Sequence, residues 1–191
     1  MADYKGLPIY IVDINDDSVF NNVSIVDYPA IEQNFIQLSR QTEIQFSINE
    51  EKRTISGPVL IPDLPIYRRD GSFEYYIKFT AETIKKYAVK FFKDKREDEG
   101  NVQHTWGVNG IVFYESYLLN KERGIAPKEF ENLPDGTWFL SAKVENDKVW
   151  ELIKDGSLRG FSVDIQSTLS EDEKKELDSI EDLVNYLNNI K

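Results

Sequence analysis

Two side chains in this sequence have types suited to moving a proton onto and off an alcohol. His104 is the single histidine, and imidazole is the side chain that titrates near neutral pH without help. Ser162 stands in Leu158-Arg159-Gly160-Phe161-Ser162-Val163-Asp164-Ile165. Read as a strand, that run sends Phe161, Val163 and Ile165 to one face and Gly160, Ser162 and Asp164 to the other. A hydroxyl among small and acidic neighbours, opposite three apolar residues, is a candidate nucleophile. It needs a base within hydrogen-bond reach, and the base needs a group to orient it. Any serine hydrolase built from this chain must therefore use His104. Each residue also has a plainer reading. His104 fits a half-buried strand residue with a satisfied ring, and Ser162 fits an ordinary amphipathic edge strand. The serine pattern is G-x-S-x-D rather than G-x-S-x-G, and the histidine precedes the serine, so both features argue against an α/β-hydrolase elbow.

Other chemistries have less to stand on. The sequence has no cysteine, which excludes disulfides, thiol nucleophiles and thiolate metal sites. One histidine excludes a multi-histidine zinc site. Asp13-Ile14-Asn15-Asp16-Asp17 opens like a calcium loop, but Ser18 stands where the turn glycine belongs and Ser24 where the bidentate glutamate belongs. It reads as a solvated acidic turn. There is no phosphate-binding glycine loop or nucleotide fingerprint, so neither metal nor cofactor is expected. Lys and Arg number 23 against 34 Asp and Glu, a net charge of −11. A surface that acidic repels phosphate backbones and anionic lipid, which disfavours nucleic-acid and membrane-surface partners. No run approaches a membrane span, and Met1 to Gly6 contain no signal-peptide core, so a soluble protein that stays where it is made is expected.

The elements that must position these side chains follow from periodicity. Apolar residues are 40% and charged residues 30% of the 191, a globular composition. Strands are predicted at 8–13, 23–26, 43–48 and 54–61, and at 66–67 and 75–79 about a turn at Arg69-Asp70-Gly71-Ser72. Thr80 caps a helix over 81–93, whose apolar face is Ile84, Tyr87, Ala88, Phe91 and Phe92. Strands follow at 102–106 and 111–117, then a long loop over 118–135 and a strand at 137–144. Asn146-Asp147 opens a short helix with Val149, Trp150, Leu152 and Ile153, stopped by Gly156. The strand 158–165 carries Ser162. Ser170 caps an acidic stretch, Glu171 to Glu176, placed to favour the helix dipole. Beyond it Leu177, Ile180, Leu183, Val184, Leu187 and Ile190 form a helical stripe. The expectation is a β-rich α+β domain over 1–166 with a helical tail over 167–191.

The run from Thr137 to Asp164, with Lys154-Asp155-Gly156 ending a helix and leading into Gly160-Phe161-Ser162, resembles the bacteriophage prohead (capsid maturation) serine proteases. Ile55-Ser56-Gly57-Pro58-Val59-Leu60-Ile61-Pro62-Asp63, the helix from Ala81 to Phe92 and the approach to Gln103-His104 are similar to that family as well. The resemblance covers roughly residues 53 to 166 and lies in the order and spacing of the motifs. Asn22-Val23-Ser24-Ile25-Val26-Asp27-Tyr28-Pro29-Ala30 is similar to a segment that many relatives carry after the nucleophile strand. Its early place here looks like a circularly permuted subgroup, with the segment 8–30 still in the same sheet.

The resemblance implies a herpesvirus-assemblin-like barrel or strongly curved sheet with flanking helices. It implies Ser162 as nucleophile and His104 as base. The relatives' acid position is filled by Asn22, which has no charge, and Asp164, two residues past the serine, is the preferred third member with Asn22 behind it. Scaffold and major capsid protein are the implied substrates, with self-cleavage usual in the family, in the host cytoplasm inside the assembling prohead. The loop from Leu118 to Pro134 is long enough to shape a substrate groove. The tail stripe either packs on the domain or binds scaffold or another copy, giving a homo-oligomer. The rival class is a non-enzymatic head-assembly or virion protein that keeps the protease fold. An unrelated binding module with an edge-strand serine leaves the joint spacing of helix, glycine and serine unexplained.

Overall fold

The computed structural model describes residues 3–14, 19–27, 45, 47–70, 72–97, 100–102 and 106–166. In chain order the elements are β1 (Asp3–Tyr4), β2 (Leu7–Val12), β3 (Val19–Val26), β4 (Ser47–Asn49), β5 (Thr54–Leu60), β6 (Ile66–Asp70), β7 (Phe73–Phe79), α1 (Ala81–Lys93), β8 (Asn101–Val102), β9 (Trp106–Gly107), β10 (Ile111–Leu118), a 3-10 turn (Lys128–Phe130), β11 (Trp138–Val144), α2 (Asp147–Lys154) and β12 (Gly160–Gln166). The strands form three four-stranded sheets, in the orders β1-β2-β7-β6, β10-β11-β5-β4 and β12-β3-β8-β9. Among the described residues the architecture is β-rich α+β with two helices, and the strands do not close into a barrel.

Local chemistry accounts for both helices. The Thr80 hydroxyl accepts the Thr83 backbone N–H at 3.1 Å, which satisfies one of the orphan donors at the start of α1. Ile84, Tyr87 and Phe91 then recur on one face and are fully buried. In α2 the Asn146 carboxamide oxygen accepts from the Val149 N–H at 3.2 Å. That helix stops at Gly156, whose φ of +78° is strained for any residue with a Cβ.

The core gathers around α1. Phe91 meets Phe113 of β10 edge-on at 5.6 Å and Trp138 of β11 at 5.7 Å. Phe113 in turn meets Phe161 of β12 at 5.9 Å. This aromatic chain runs from the helix through β10 into the strand that carries Ser162, and Val23, Ile25, Ile55, Leu140 and Ile153 pack around it.

Most predicted elements are present with small changes of boundary. The segment 102–106 differs. Val102 pairs with Trp106 and Asn101 with Gly107, both antiparallel, so the chain reverses between two short strands rather than running through as one. Gln103-His104-Thr105 contains none of the usual turn residues, which is why periodicity alone reads straight across it. Of the strand expected at 43–48, Ser47 and Ile48 belong to β4; residues 43, 44 and 46 lie outside the described residues, as does the helical tail expected over 167–191.

Candidate active site

β12 runs antiparallel to β3, with Phe161 opposite Ile25, Ser162 opposite Ser24, and Asp164 opposite Asn22. β3 runs parallel to β8, with Ser24 opposite Asn101 and Ile25 opposite Val102. Two cross-sheet rows result. Phe161, Ile25 and Val102 form one and belong to the core. Ser162, Ser24 and Asn101 form the other, on the opposite face by the alternation of side chains along each strand.

This second row is polar and buried. Ser162 is 8% exposed, Ser24 0% and Asn101 8%. The Ser24 hydroxyl donates to the Asn101 carboxamide oxygen at 2.9 Å. Burying polar groups is costly unless they are paired, so this bond ties the two-residue strand β8 to the sheet by side chains as well as backbone.

Both ends of the row are braced. The backbone N–H of Arg159 donates to the Val26 carbonyl at 2.9 Å, and its Nε donates to the Asp27 carbonyl at 3.0 Å. These bonds fix where β12 starts on β3. Upstream, the Leu158 N–H donates to the Leu152 carbonyl at 2.9 Å, so α2 hands the chain to β12 through a short turn. In that turn the Asp155 carboxylate accepts the Ser157 N–H at 2.8 Å, and its bonds to the Ser157 hydroxyl and N–H hold it below the usual carboxylate range.

On the β8 side, Gly100 is a close-approach residue. A Cβ built there would lie 2.4 Å from the Ile111 Cβ, so only glycine lets the start of β8 press against β10.

Ser162 and the strand positions of Asp164 and Asn22 are thus brought together by pairing of β12 with β3. The side chains of Asp164 and Asn22 lie outside the described residues, and so does His104. The register shifts between Asp164 and Ile165. That shift marks a β-bulge in the pairing of β12 with β3.

Sequence reasoning missed Ser24 and Asn101 as partners in this row. A lone polar residue inside Val23-Ser24-Ile25-Val26 was the available signal for Ser24. Asn101 carried none, because its partner lies 77 positions away.

A second polar row was missed as well. In the sheet of β5, β11 and β10, the Ser56 and Ser141 hydroxyls are 2.7 Å apart, and Ser141 donates to the Glu115 carboxylate at 2.5 Å. It lies on the face away from Leu140 and Ala142, which are core residues. On that same face the loop after β10 is anchored by Phe130, edge-on to Phe139 at 5.0 Å, while Tyr117 stacks on Phe139 at 5.4 Å. Burial, with the Glu115 and Tyr114 charges behind it, pushes the Tyr117 hydroxyl up to about 12.

The acidic turn considered as a calcium loop has a different use at its first residue. The Asp13 carboxylate accepts from the Ile14 N–H at 2.8 Å, the Thr83 hydroxyl at 3.3 Å and the Lys86 ammonium at 3.2 Å. It joins the end of β2 to the first turns of α1.

Residues 41–171 match the family model described as "Putative phage serine protease XkdF". That span contains His104, Ser162 and Asp164, whereas Asn22 and Ser24 precede it. Among curated proteins, the chain is 32% identical over 130 residues to "Phage-like element PBSX protein XkdF" of Bacillus subtilis (strain 168), covering 68% of this chain and 42% of that protein. It is 30% identical over 154 residues to "Uncharacterized protein YqbD" of the same organism, covering 74% of this chain and 42% of that protein. The chain therefore spans about two fifths of the length of these relatives. No solved structure matches it significantly.

Proposed function

This chain belongs to the family described as "Putative phage serine protease XkdF", and from that premise we propose that it is a serine endopeptidase with Ser162 as nucleophile and His104 as base. The observation that carries the reading is the buried row Ser162, Ser24 and Asn101. His104 follows Asn101 by three residues and precedes Trp106 by two.

In the proposed reaction the Ser162 Oγ attacks the scissile carbonyl carbon as His104 takes the hydroxyl proton. Collapse of the tetrahedral intermediate breaks the C–N bond, and the imidazolium returns the proton to the leaving amine. Water, deprotonated by the same imidazole, then releases the acyl group. Backbone N–H groups bind the oxyanion. Asp164 orients the imidazole and favours its charged form, and Asn22, opposite it on β3, is the alternative orienting group. No cofactor takes part.

The substrates in this reading are the phage's own scaffold and major capsid proteins, and the enzyme itself, within the prohead assembling in the host cytoplasm. The fold reading that accompanies it is an assemblin-like sheet in permuted order. What supports the permutation is that β3, early in the chain, is hydrogen-bonded along the whole of the late strand β12.

A non-enzymatic assembly protein with the same fold is the second reading, favoured by the neutral Asn22 at the relatives' acid position. Co-expression with the cognate capsid and scaffold proteins separates the two. The protease reading expects a processed capsid band that Ser162→Ala and His104→Ala each abolish, and covalent labelling of Ser162 by a fluorophosphonate, seen as a mass shift on its peptide. Normal processing by Ser162→Ala would exclude the enzyme.

A further inference from the structure

The face of α1 turned away from the core is chemically unlike the rest of this acidic protein. Its inward residues Ile84, Tyr87 and Phe91 are fully buried, while Val89 is 53% and Phe92 50% exposed. On the 3.6-residue period Val89 lies at the centre of the outer face, with Phe92 one turn further along its edge. Around Val89 stand four lysines, Lys85, Lys86, Lys90 and Lys93. They line an open groove of about 760 Å³ whose other wall includes Ile14, with Glu82 and Asp94 the acids beside it. Lys86 pairs with Asp13 and Lys90 with Asp94. Lys85 and Lys93 have no ion pair among the described residues.

We propose that residues 171–190 of this same chain dock as an amphipathic helix on this face of α1. Three observations select that occupant. The first is charge. Residues 171–191 hold seven acidic residues against three lysines, the sign that complements a groove lined by four lysines and two acids. The second is pattern. Leu177, Ile180, Leu183, Val184, Leu187 and Ile190 recur at helical spacing, with Asp172, Glu173 and Glu176 on or beside that face. An apolar stripe flanked by carboxylates matches exposed Val89 and Phe92 flanked by ammonium groups. The third is origin. β12 ends at Gln166, opposite Val19, and Val19 is five residues past Ile14, which lines the groove. The five steps from Ile14 to Val19 span at most about 17 Å, so the segment leaves the sheet within about two strand-lengths of the groove. The five steps from Gln166 to Glu171 reach up to about 17 Å extended, and a 20-residue helix of about 30 Å is long enough to cover the roughly 20 Å of α1. The docked segment covers apolar surface and gives Lys85 and Lys93 carboxylate partners. This inference does not depend on the protease reading.

Zero-length carbodiimide coupling of the full chain at low micromolar concentration tests it, with peptides mapped separately from the monomer and dimer bands. The expected result is amide links from Lys85 or Lys93 to acids between Glu171 and Asp182 within the monomer. Val89→Asp, at an exposed site that sets a like charge against the tail, lowers their yield about tenfold. Val112→Asp, at another exposed valine, on β10, leaves them unchanged, and 1 M salt, with its Debye length of about 3 Å, weakens them. Absence of such links from the monomer, their confinement to the dimer, or indifference to Val89→Asp would each overturn the proposal. Dimer-only links would assign the groove to a second copy instead.

Discussion

At the residue scale, a few buried or half-buried polar groups do work that their neighbours cannot. Ser24 is one. Its hydroxyl reaches Asn101 across two strands with both residues buried. Ser24→Ala removes the donor and leaves a buried carboxamide oxygen without it, a loss of about 1–3 kcal/mol. The expected signature is a lower urea midpoint at unchanged m-value. In the proposed enzyme kcat falls while KM stays, because β8 leads directly to His104. Asp13 is another. The Ile14 amide first, then Lys86 and Thr83, hold its carboxyl below its ordinary 3.8 against the opposing effect of burial. A carboxylate with a depressed folded-state pKa contributes stability above its unfolded pKa and loses it as pH falls through the folded value. Asp13→Asn should therefore cost about 0.5 kcal/mol at pH 7, allowing for solvent screening of this half-exposed site. The gap between the two proteins should close as pH is lowered below about 4, which thermal melts at pH 7, 4 and 3 would follow.

At the scale of elements, β8 is the weak member that the site depends on. Two residues pair with β3 on one side and with β9 on the other. Such a strand has little pairing energy of its own and is held by what packs against it. Gly100 sets that contact by letting the backbone approach Ile111. Gly100→Ala forces β8 or β10 to move and should cost about 1–3 kcal/mol. Hydrogen exchange should report the loss first at Asn101, Val102 and Val108, whose N–H donates to the Gly100 carbonyl at 2.9 Å. Slow exchange there in the variant, equal to the parent protein, would show that the contact relaxes without cost. α1 is the opposite kind of element. Its cap, its apolar face and the lysines of its last turn agree locally, so local preference and tertiary packing specify the same element.

At the scale of the whole molecule, one aromatic chain couples the layers. Phe91 of α1 touches Phe113 and Trp138, and Phe113 touches Phe161 next to Ser162. Phe91→Ala opens a cavity between α1 and the strands, with an expected loss of about 3–5 kcal/mol. Because the contacts form one cluster, fluorescence and far-UV circular dichroism should report the same lowered midpoint. Separate transitions by the two probes would mean that the sheets unfold independently. The sheet β12-β3-β8-β9 shows the same interdependence in its connectivity. It joins the start of the chain, its middle and its last described strand, so the row beneath Ser162 exists only when all three regions are folded together.

What was legible from the residues alone was local. Thr80, the spacing of Ile84, Tyr87 and Phe91, Asn146 before α2 and Gly156 after it define both helices, because capping and 3.6-residue periodicity act within one or two turns. The alternation around Phe161 and Ser162 likewise announced a strand with Ser162 turned from the core. Only the folded chain decided the register that sets Ser162 opposite Ser24, that β8 joins β3 in parallel, that Val102 pairs back with Trp106 and that Ser24 meets Asn101. Strand pairing is made by backbone groups that every residue carries. Its register is selected by which side chains the whole sheet can bury together, a property of distant segments in combination and of none of them singly.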